Sequence, residues 1–293
     1  MDWKALLEDI GPWEWPMGLE RKLEPILRDK DGADPEQRVA AVSVAGDYTQ
    51  INDRLADALI WIVENPAESD EIRADAAIAF GPALEQGYIE EFIEPENVPI
   101  SEEIYDRIRD VLKRVYLDQS TPKSVRRRAM EGSIRAPDDW HEEEVRKAYA
   151  SGDREWKLTA VFCMSHLRGF DKEILESLES DDPELHLEAV RAAGSFEIEA
   201  AWSHIADLAR SELAEKELRI VAIEALSTLR PKDSLEILIR LSDDDDEDIA
   251  EAADEAQTMA VGFLEKDEDD DVFDEEDDED DDEDDDKKPK LVN

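Results

Sequence analysis

The sequence of 293 residues predicts an all-α protein, an α-solenoid built as a stack of helical hairpins. Three observations support this fold class. A ten-residue pattern recurs seven times, its fifth position is alanine in every copy, and a second helical pattern precedes most copies. One hairpin cannot bury both of its faces, whereas a stack of hairpins can. We therefore predict about seven hairpins, followed by a disordered acidic tail.

The ten-residue pattern reads apolar, basic, two variable positions, alanine, apolar, variable, small, apolar and small. On a helix with 3.6 residues per turn, positions one, five, eight and nine fall on one side. The pattern therefore describes an amphipathic helix whose small residues let a neighbouring helix approach closely. Its seven copies are residues 37–46, 72–81, 125–134, 156–165, 185–194, 218–227 and 249–258.

The spacing of the copies locates an insertion. The fifth-position alanines lie 35, 53, 31, 29, 33 and 31 residues apart. The longest interval contains residues 82–99, which carry Tyr88, Ile89, Phe92 and Ile93 among acidic residues and prolines. Insertions in solenoids project as loops and often contact ligands. We predict a loop here, whose aromatic side chains either bind a ligand or pack on the adjoining helices.

The turns between the paired helices contain proline, as in Asp34-Pro35 and Asp182-Pro183, where it stops one helix or begins the next. These turns, with the arginine of position two and the alanine of position five, resemble HEAT repeats, especially the short bacterial type found in phycobilisome-lyase-like proteins. The resemblance covers roughly residues 18–262. It implies an α-solenoid whose second helices line a concave surface, in a protein that acts as a scaffold or binding module.

The domain organisation follows from these features. Residues 1–17 form an N-terminal cap segment, in which Trp3, Trp13 and Trp15 are predicted to cover the first hairpin. Residues 18–264 form the HEAT-repeat solenoid, with the insertion loop at 82–99. Residues 265–293 form the tail, where 19 acidic residues between 265 and 286 repel one another and cannot bury enough apolar surface to order the chain.

The charge balance excludes direct nucleic-acid binding. The chain has 81 acidic and 34 basic residues, a formal net charge of −47, and would be repelled by phosphate. Without the tail, 62 acidic and 30 basic residues still leave −32. Two interpretations stay open: the tail binds a basic partner protein, or the acidity only keeps the surface solvated, as in salt-adapted proteins.

The sequence also indicates a cytoplasmic protein without a membrane partner. The longest apolar stretch, 55–63, is too short to cross a bilayer, and the N-terminus has no targeting segment. A single cysteine, Cys163, cannot form an internal disulfide bond. Because Cys163 occupies a small-residue position of the pattern, we predict that it is buried for packing and not a nucleophile.

The histidines do not indicate a catalytic site. They fall in different hairpins without the spacing of a zinc site. A HEAT-type di-iron hydroxylase of the deoxyhypusine class needs several His-Glu pairs, and only His141-Glu142 qualifies. We therefore predict no catalytic, metal or cofactor-binding residues, and no enzymatic activity.

A basic island interrupts the acidic sequence at 107–135, which has nine basic and three acidic residues. The basic residue of position two is predicted to bond the acidic turn of its own repeat, but Arg127 and Arg128 have no such role. An acidic peptide or the tail could bind them, although a solvated helix face is an equally simple interpretation. The candidate partner-binding residues are Arg127, Arg128, Tyr88, Phe92, Phe162 and Arg191.

The function predicted from the sequence is a non-enzymatic protein-protein interaction scaffold. A partner would bind along the concave helices, and the acidic tail would serve basic partners or solubility. Two alternatives are a phycobilin-lyase-like enzyme and an acidic nucleic-acid mimic that binds a cationic protein surface.

Overall fold

The computed structural model describes residues 2–16 and 18–276, except for the side chains of 9 and 266–276. These residues form helices and turns and contain no strand, which confirms the all-α prediction. The α-helices of the described residues, in chain order, are α1 (Trp3–Asp9), α2 (Glu20–Arg28), α3 (Pro35–Gly46), α4 (Asp53–Glu64), α5 (Asp70–Ile78), α6 (Gly81–Glu90), α7 (Glu102–Leu117), α8 (Lys123–Ser133), α9 (Asp139–Ala150), α10 (Arg154–Met164), α11 (Asp171–Leu178), α12 (Pro183–Ser195), α13 (Trp202–Arg210), α14 (Lys216–Leu229), α15 (Pro231–Leu241) and α16 (Glu247–Glu276).

The chain divides into two compact units, Met1–Ser177 and Leu178–Asn293. In the first unit, the hairpins α2/α3, α4/α5, α7/α8 and α9/α10 stack so that α3, α5, α8 and α10 pack against one another in sequence order. In the second unit, α12, α14 and α16 pack in the same way, with α13 and α15 as the first helices of the last two hairpins. Each unit therefore has the predicted solenoid arrangement of stacked helical hairpins.

The small positions of the pattern lie where helices approach most closely. The fifth-position alanines are buried in every copy, Ala160 among them. A Cβ atom on Gly132 would lie 2.4 Å from the carbonyl oxygen of Ala77 in the neighbouring α5. A Cβ on Gly46 would lie 2.4 Å from the Cβ of Ala79. These positions are small because the backbone of the next helix occupies the space of a side chain.

In four of the hairpins, the arginine of position two holds the two helices together at one end. The Nε–H of each donates to a backbone carbonyl at the C-terminal end of the preceding helix, where carbonyl groups lack intrahelical partners. The distances are 3.2 Å from Arg38 to Leu27, 3.0 Å from Arg73 to Val63, 2.7 Å from Arg126 to Tyr116 and 3.0 Å from Arg219 to Ala209. We call this contact the arginine clamp.

The acidic partner of the clamp comes from a different turn than predicted. Arg38 pairs at 2.6 Å with Glu68, and Arg219 pairs at 2.6 Å with Asp244. Glu68 and Asp244 lie in the turn of the following hairpin, not in the turn of the arginine's own repeat. The prediction was wrong because the carbonyl of the preceding helix already takes the Nε–H and directs the guanidinium towards the next hairpin. One side chain therefore joins two consecutive hairpins.

The N-terminal segment covers the first hairpin, but with two of its three tryptophans. Trp3 and Trp15 are buried, and α1 packs on α3. The Trp15 indole N–H donates to the Ile10 carbonyl oxygen at 3.1 Å. Trp13 is 84% exposed, so its predicted covering role is wrong. It lies in a short 3-10 helix, Pro12–Glu14, that places its ring over Gly11.

The insertion is more ordered than the predicted loop. It begins with α6, whose Pro82 occupies the first turn, where a missing N–H leaves no partner unsatisfied. Ala83, Leu84 and Gly87 of α6 are buried, which gives this helix a packed face. The helix ends at Glu90 and is followed by Glu91 and Phe92, which have positive φ angles of 48° and 55°. A 3-10 turn, Pro95–Asn97, then leads back to α7.

At the C-terminus, the backbone of α16 continues past the predicted tail boundary at 264 and is helical to Glu276, the last described residue. Once a helix has formed, each further residue adds a hydrogen bond, so an acidic sequence can still extend it. Residues 277–293 of the predicted disordered tail lie outside the described residues. Among the described helices, none is both long and apolar enough to span a lipid bilayer.

Adding one methyl group at Gly132 should destabilise the protein. We expect Gly132→Ala to lower the free energy of unfolding by about 1–3 kcal/mol, because the new Cβ meets the backbone of α5. Gly262→Ala is the matched control, because its Cβ would meet no atom within 4 Å and alanine favours a helix. Urea unfolding of both variants measures the difference. Equal stabilities would contradict the close helix contact.

Removing the Arg38 guanidinium should be more harmful than removing an exposed one. Arg38 and Glu68 are both buried, so Arg38→Met leaves a buried carboxylate unpaired and should lower the free energy of unfolding by about 3–5 kcal/mol. The double variant Arg38→Met/Glu68→Leu should recover part of this loss. Arg240→Met, from the exposed pair with Glu236, should cost at most about 1 kcal/mol. Equal losses in Arg38→Met and Arg240→Met would show that the clamp is unimportant.

Candidate functional site

The basic island is neutralised within the fold. Seven of its nine basic side chains form ion pairs, and most of the acidic partners lie outside 107–135 in the sequence. Lys113 and Arg126 instead lie over aromatic rings, 5.8 Å from the centroid of Trp140 and 5.6 Å from that of Tyr116. The seven pairs are Arg107–Asp57, Arg109–Asp138, Arg114–Glu64, Lys123–Asp153, Arg127–Glu155, Arg128–Glu131 and Arg135–Glu85.

Arg127 and Arg128 converge on one buried carboxylate, that of Glu131. Arg128 Nη1 donates to Glu131 Oε2 at 2.7 Å, and Arg127 Nη2 lies 3.7 Å from Oε1. The Thr159 hydroxyl of α10 donates to Glu131 at 2.5 Å and accepts from Arg127 Nε at 2.8 Å. Both guanidinium groups therefore already have anionic partners that fasten α8 to α10. They offer little unmatched charge to an acidic peptide or to the tail.

The remaining predicted residues lie in three places. Phe162 is half-buried in α10, with the Arg135 guanidinium 5.8 Å from its ring centroid. Arg191 belongs to α12 in the second unit and lies 3.7 Å from Glu188 Oε2. Tyr88 and Phe92 belong to the insertion, where the Phe92 ring meets Tyr105 edge to face with centroids 5.2 Å apart. In the insertion, the predicted residues Tyr88 and Phe92 are sequence neighbours of two further apolar residues, Ile89 and Ile93.

An exposed apolar patch forms where α6 ends. Tyr88, Ile89 and Ile93 are 50%, 66% and 79% exposed. Single exposed apolar residues are common, whereas a group of large ones on one segment is typical of an interaction site. We name these three side chains, with the four carboxylates Glu90, Glu91, Glu94 and Glu96, the insertion surface.

A cavity of about 640 Å³ lies beside this surface and is called the insertion groove. Two hydrogen bonds hold its walls: Ser101 N–H donates to Asp53 Oδ1 at 2.7 Å, and the Tyr48 hydroxyl donates to the Asn97 carbonyl at 3.2 Å. They tie the returning end of the insertion to the start of α4. The groove is lined by Asn52, Asp53, Arg54, Phe92, Pro95, Val98, Pro99, Ile100, Ser101 and Glu102.

The electrostatics of the insertion are one-sided. Residues 82–99 contain five glutamates and no basic residue. Glu90 accepts a hydrogen bond from Gln86 and Glu94 accepts one from Asn97, both neutral side chains. Among the residues that the structure describes, no ion pair neutralises any of the four carboxylates of the insertion surface. A ligand with positive charge would therefore meet carboxylates that lack ion-pair partners, next to an apolar patch in the sequence.

Ser133 and His141 look like a nucleophile and its base, with Oγ and Nε2 3.0 Å apart and both side chains buried. The hydrogen bonds give them a different role. The Asp138 N–H donates to His141 Nδ1, so Nε2 carries the proton and donates to Ser133, whose hydroxyl donates to the Met130 carbonyl at 3.1 Å. A histidine in this tautomer cannot accept the serine proton. The pair therefore connects the start of α9 to the end of α8.

The other candidates for chemistry are few. Within residues 2–16 and 18–276, no group of three or more His, Cys, Asp or Glu side chains is arranged to hold a metal ion. Cys163 is buried, in agreement with its predicted packing role.

Sequence reasoning found Tyr88 and Phe92 but did not rank Ile89 and Ile93 among the site residues. These two are the more exposed apolar side chains of the insertion. The signal that could have found them is their position on both sides of Glu90 and Glu91, close to two prolines. Pro95 keeps the helix from continuing, so Ile93 lies in the turn after α6.

No protein-family model matches the chain, and no curated protein matches it. Solved structures are similar to it at low identity. Human deoxyhypusine hydroxylase in complex with glycerol is 16% identical with a TM-score of 0.39, covering 86% of this chain and 93% of that one. An engineered protein is 18% identical with a TM-score of 0.40, covering 71% and 96%. YibA of Escherichia coli is 15% identical with a TM-score of 0.39, covering 82% and 96%.

These likenesses concern the fold alone and are consistent with helical repeats of the HEAT type. They also correct the functional prediction. One of the similar structures is a hydroxylase, an enzyme, so helical repeats of this kind are no reason to call the chain a non-enzymatic scaffold. The prediction of a non-enzymatic interaction scaffold was therefore wrong.

The stability contributed by His141 should depend on pH. Burial lowers the pKa of His141 from 6.5 to about 4, so the folded protein keeps it neutral while the unfolded chain protonates it. This contribution is complete above pH 6.5 and is lost as the pH falls towards 4, by up to about 3 kcal/mol. Urea unfolding of the parent and of His141→Gln across this range isolates it, because the other titrating groups are common to both. A difference in stability that stays constant with pH would contradict the assignment.

Proposed function

We propose that this protein binds a short segment of another protein that carries both basic and apolar side chains. The segment lies across the insertion surface and in the insertion groove. Binding of this kind is compatible with a catalytic as well as a non-catalytic protein. A cytoplasmic location and a contribution of the acidic tail to attracting the partner belong to the same proposal.

The observation that carries the proposal is the exposure of Ile89 and Ile93 beside Tyr88. Covering apolar surface yields roughly 25 cal/mol per Å², so a partner that buries these three side chains gains several kcal/mol. The backbone fixes their position, because α6 ends at Glu90 and the Phe92 ring beyond it packs on Tyr105. A surface that is already ordered loses little conformational entropy when it binds.

The charge of the surface selects the partner. The carboxylates of Glu90, Glu91, Glu94 and Glu96 alternate in sequence with the apolar side chains and have no basic partners among the described residues. They favour lysine or arginine in the bound segment and repel acidic ones. The net charge of −32 on residues 1–264 steers cationic partners towards the protein before contact.

The groove accounts for the length and shape of the segment. Its volume of about 640 Å³ lies within the range of roughly 300–1,000 Å³ found for ligand pockets. Val98 and Ile100 provide buried apolar walls, and Asp53 and Glu102 also line the groove. The one basic lining residue, Arg54, forms an ion pair with Glu24. An extended segment can place an apolar side chain in the groove and keep neighbouring basic side chains near the carboxylates.

Labelled peptides of alternating lysine and leucine provide the test. We expect Ile89→Ser/Ile93→Ser to weaken their binding to the full chain at least about tenfold, since losing 1.4 kcal/mol of apolar contact suffices. Leu213→Ser is the matched control, because Leu213 is 97% exposed but isolated in the second unit. Fluorescence anisotropy at several salt concentrations measures the apolar and the electrostatic contributions to binding.

The charge arm of the same experiment uses Glu91→Gln/Glu94→Gln, which should weaken binding and flatten its dependence on salt. Peptides with glutamate in place of lysine should not bind. Two results would reject the proposed site. One is unchanged binding in both double variants; the other is loss of binding after removal of residues 277–293 with no effect of the insertion variants.

A further inference from the structure

Two histidines meet in the second unit. His186 belongs to α12 and His204 to α13, and their Nε2 atoms are 2.8 Å apart. The ring centroids lie 5.0 Å apart with the planes inclined by 58°, so the rings meet nearly end to end. Both side chains are half-buried. In this arrangement one Nε2–H donates to the lone pair of the other ring.

The pair occupies the place of an arginine clamp. His186 stands at position two of its repeat, where Arg38, Arg73, Arg126 and Arg219 reach a backbone carbonyl. Where the clamp arginines Arg38 and Arg219 extend to a carboxylate of the following hairpin, His186 extends to another imidazole.

We infer that His186 and His204 form a binding site for a divalent transition-metal ion, coordinated by both Nε2 atoms and completed by water. Imidazole nitrogen is a preferred ligand of Cu²⁺, Ni²⁺ and Zn²⁺. The site is distinct from the insertion in the first unit and independent of the proposed peptide binding.

Ligand type and number indicate which ion fits. Cu²⁺ and Ni²⁺ accept two imidazole nitrogens at right angles in a tetragonal site, which at bond lengths of about 2.0 Å places the nitrogens about 2.8 Å apart. Tetrahedral Zn²⁺ places them about 3.3 Å apart. Both rings must turn to direct their lone pairs at one ion, and their partial exposure leaves room for this. The hydrogen on the donor Nε2 is transferred through solvent to Nδ1 of the same ring, so both imidazoles bind as neutral ligands.

The strength of the site follows from its ligand count. With two protein ligands and no third His, Cys, Asp or Glu placed to coordinate among the described residues, water fills the other positions. Affinity should follow the order Cu²⁺ above Ni²⁺ and Zn²⁺. The excess of acidic residues in the chain raises the concentration of divalent cations near its surface.

Titration of the full chain with Cu²⁺ tests the inference. Excess Mg²⁺ is included, because it occupies carboxylates, such as those of the tail, and does not compete for imidazole. We expect one tight Cu²⁺ site whose electron paramagnetic resonance spectrum shows coupling to two imidazole nitrogens. His186→Gln and His204→Gln should each reduce the affinity at least about tenfold and leave coupling to one nitrogen.

His166→Gln is the control, because His166 lies in the first unit beside Phe162 and should leave the site unchanged. Circular dichroism of each variant shows that it folds. The inference is overturned if Cu²⁺ bound under excess Mg²⁺ shows no nitrogen coupling. It is equally overturned if the spectrum and affinity are the same in parent, His186→Gln and His204→Gln.

Discussion

The arginine clamp is the contact on which the stacking of hairpins depends. The guanidinium groups of Arg38 and Arg219 each donate to a backbone carbonyl at the end of a helix and pair with a carboxylate of the following hairpin. Each guanidinium therefore satisfies a helix end and fixes the spacing of two repeats at once. Close packing at Gly46 and Gly132 needs that spacing, because a shift of one ångström would open the contact or force a clash. Position two and the small positions thus act together.

The distribution of charge follows from the same architecture. A chain with 62 acidic and 30 basic residues before residue 265 cannot pair every carboxylate. The basic side chains next to helix interfaces form ion pairs there, as Arg127 and Arg128 do with Glu131. Other carboxylates stay without ionic partners, and the four of the insertion surface are examples among the described residues. Ile89 and Ile93 are the apolar side chains that the packed face of α6 leaves exposed.

The periodicity of the sequence predicted the fold because each packed helix face is formed by residues that lie close together in the sequence. The small residue at Gly132 and the alanine at Ala160 follow from one helix face meeting another, and both lie where the pattern placed them. Trp13 and the insertion were predicted less well, because their outcome depends on contacts distant in sequence. No residue close to Trp13 in the sequence indicates that α1 already covers α3. The pairing of the basic island likewise depends on acids about fifty residues away, such as that of Arg107 with Asp57.

Departures from the pattern indicate where the chain does more than stack. At His186 the arginine is replaced by a shorter side chain with an ionisable ring, which cannot form the same bidentate pair with a carboxylate. If only the stacking mattered, another arginine or lysine would serve, as Lys157 does over the ring of Tyr149. His204 supplies a second ring at hydrogen-bonding distance instead. The histidine–histidine contact thus replaces a clamp at this position, and metal binding is the role that we propose for it.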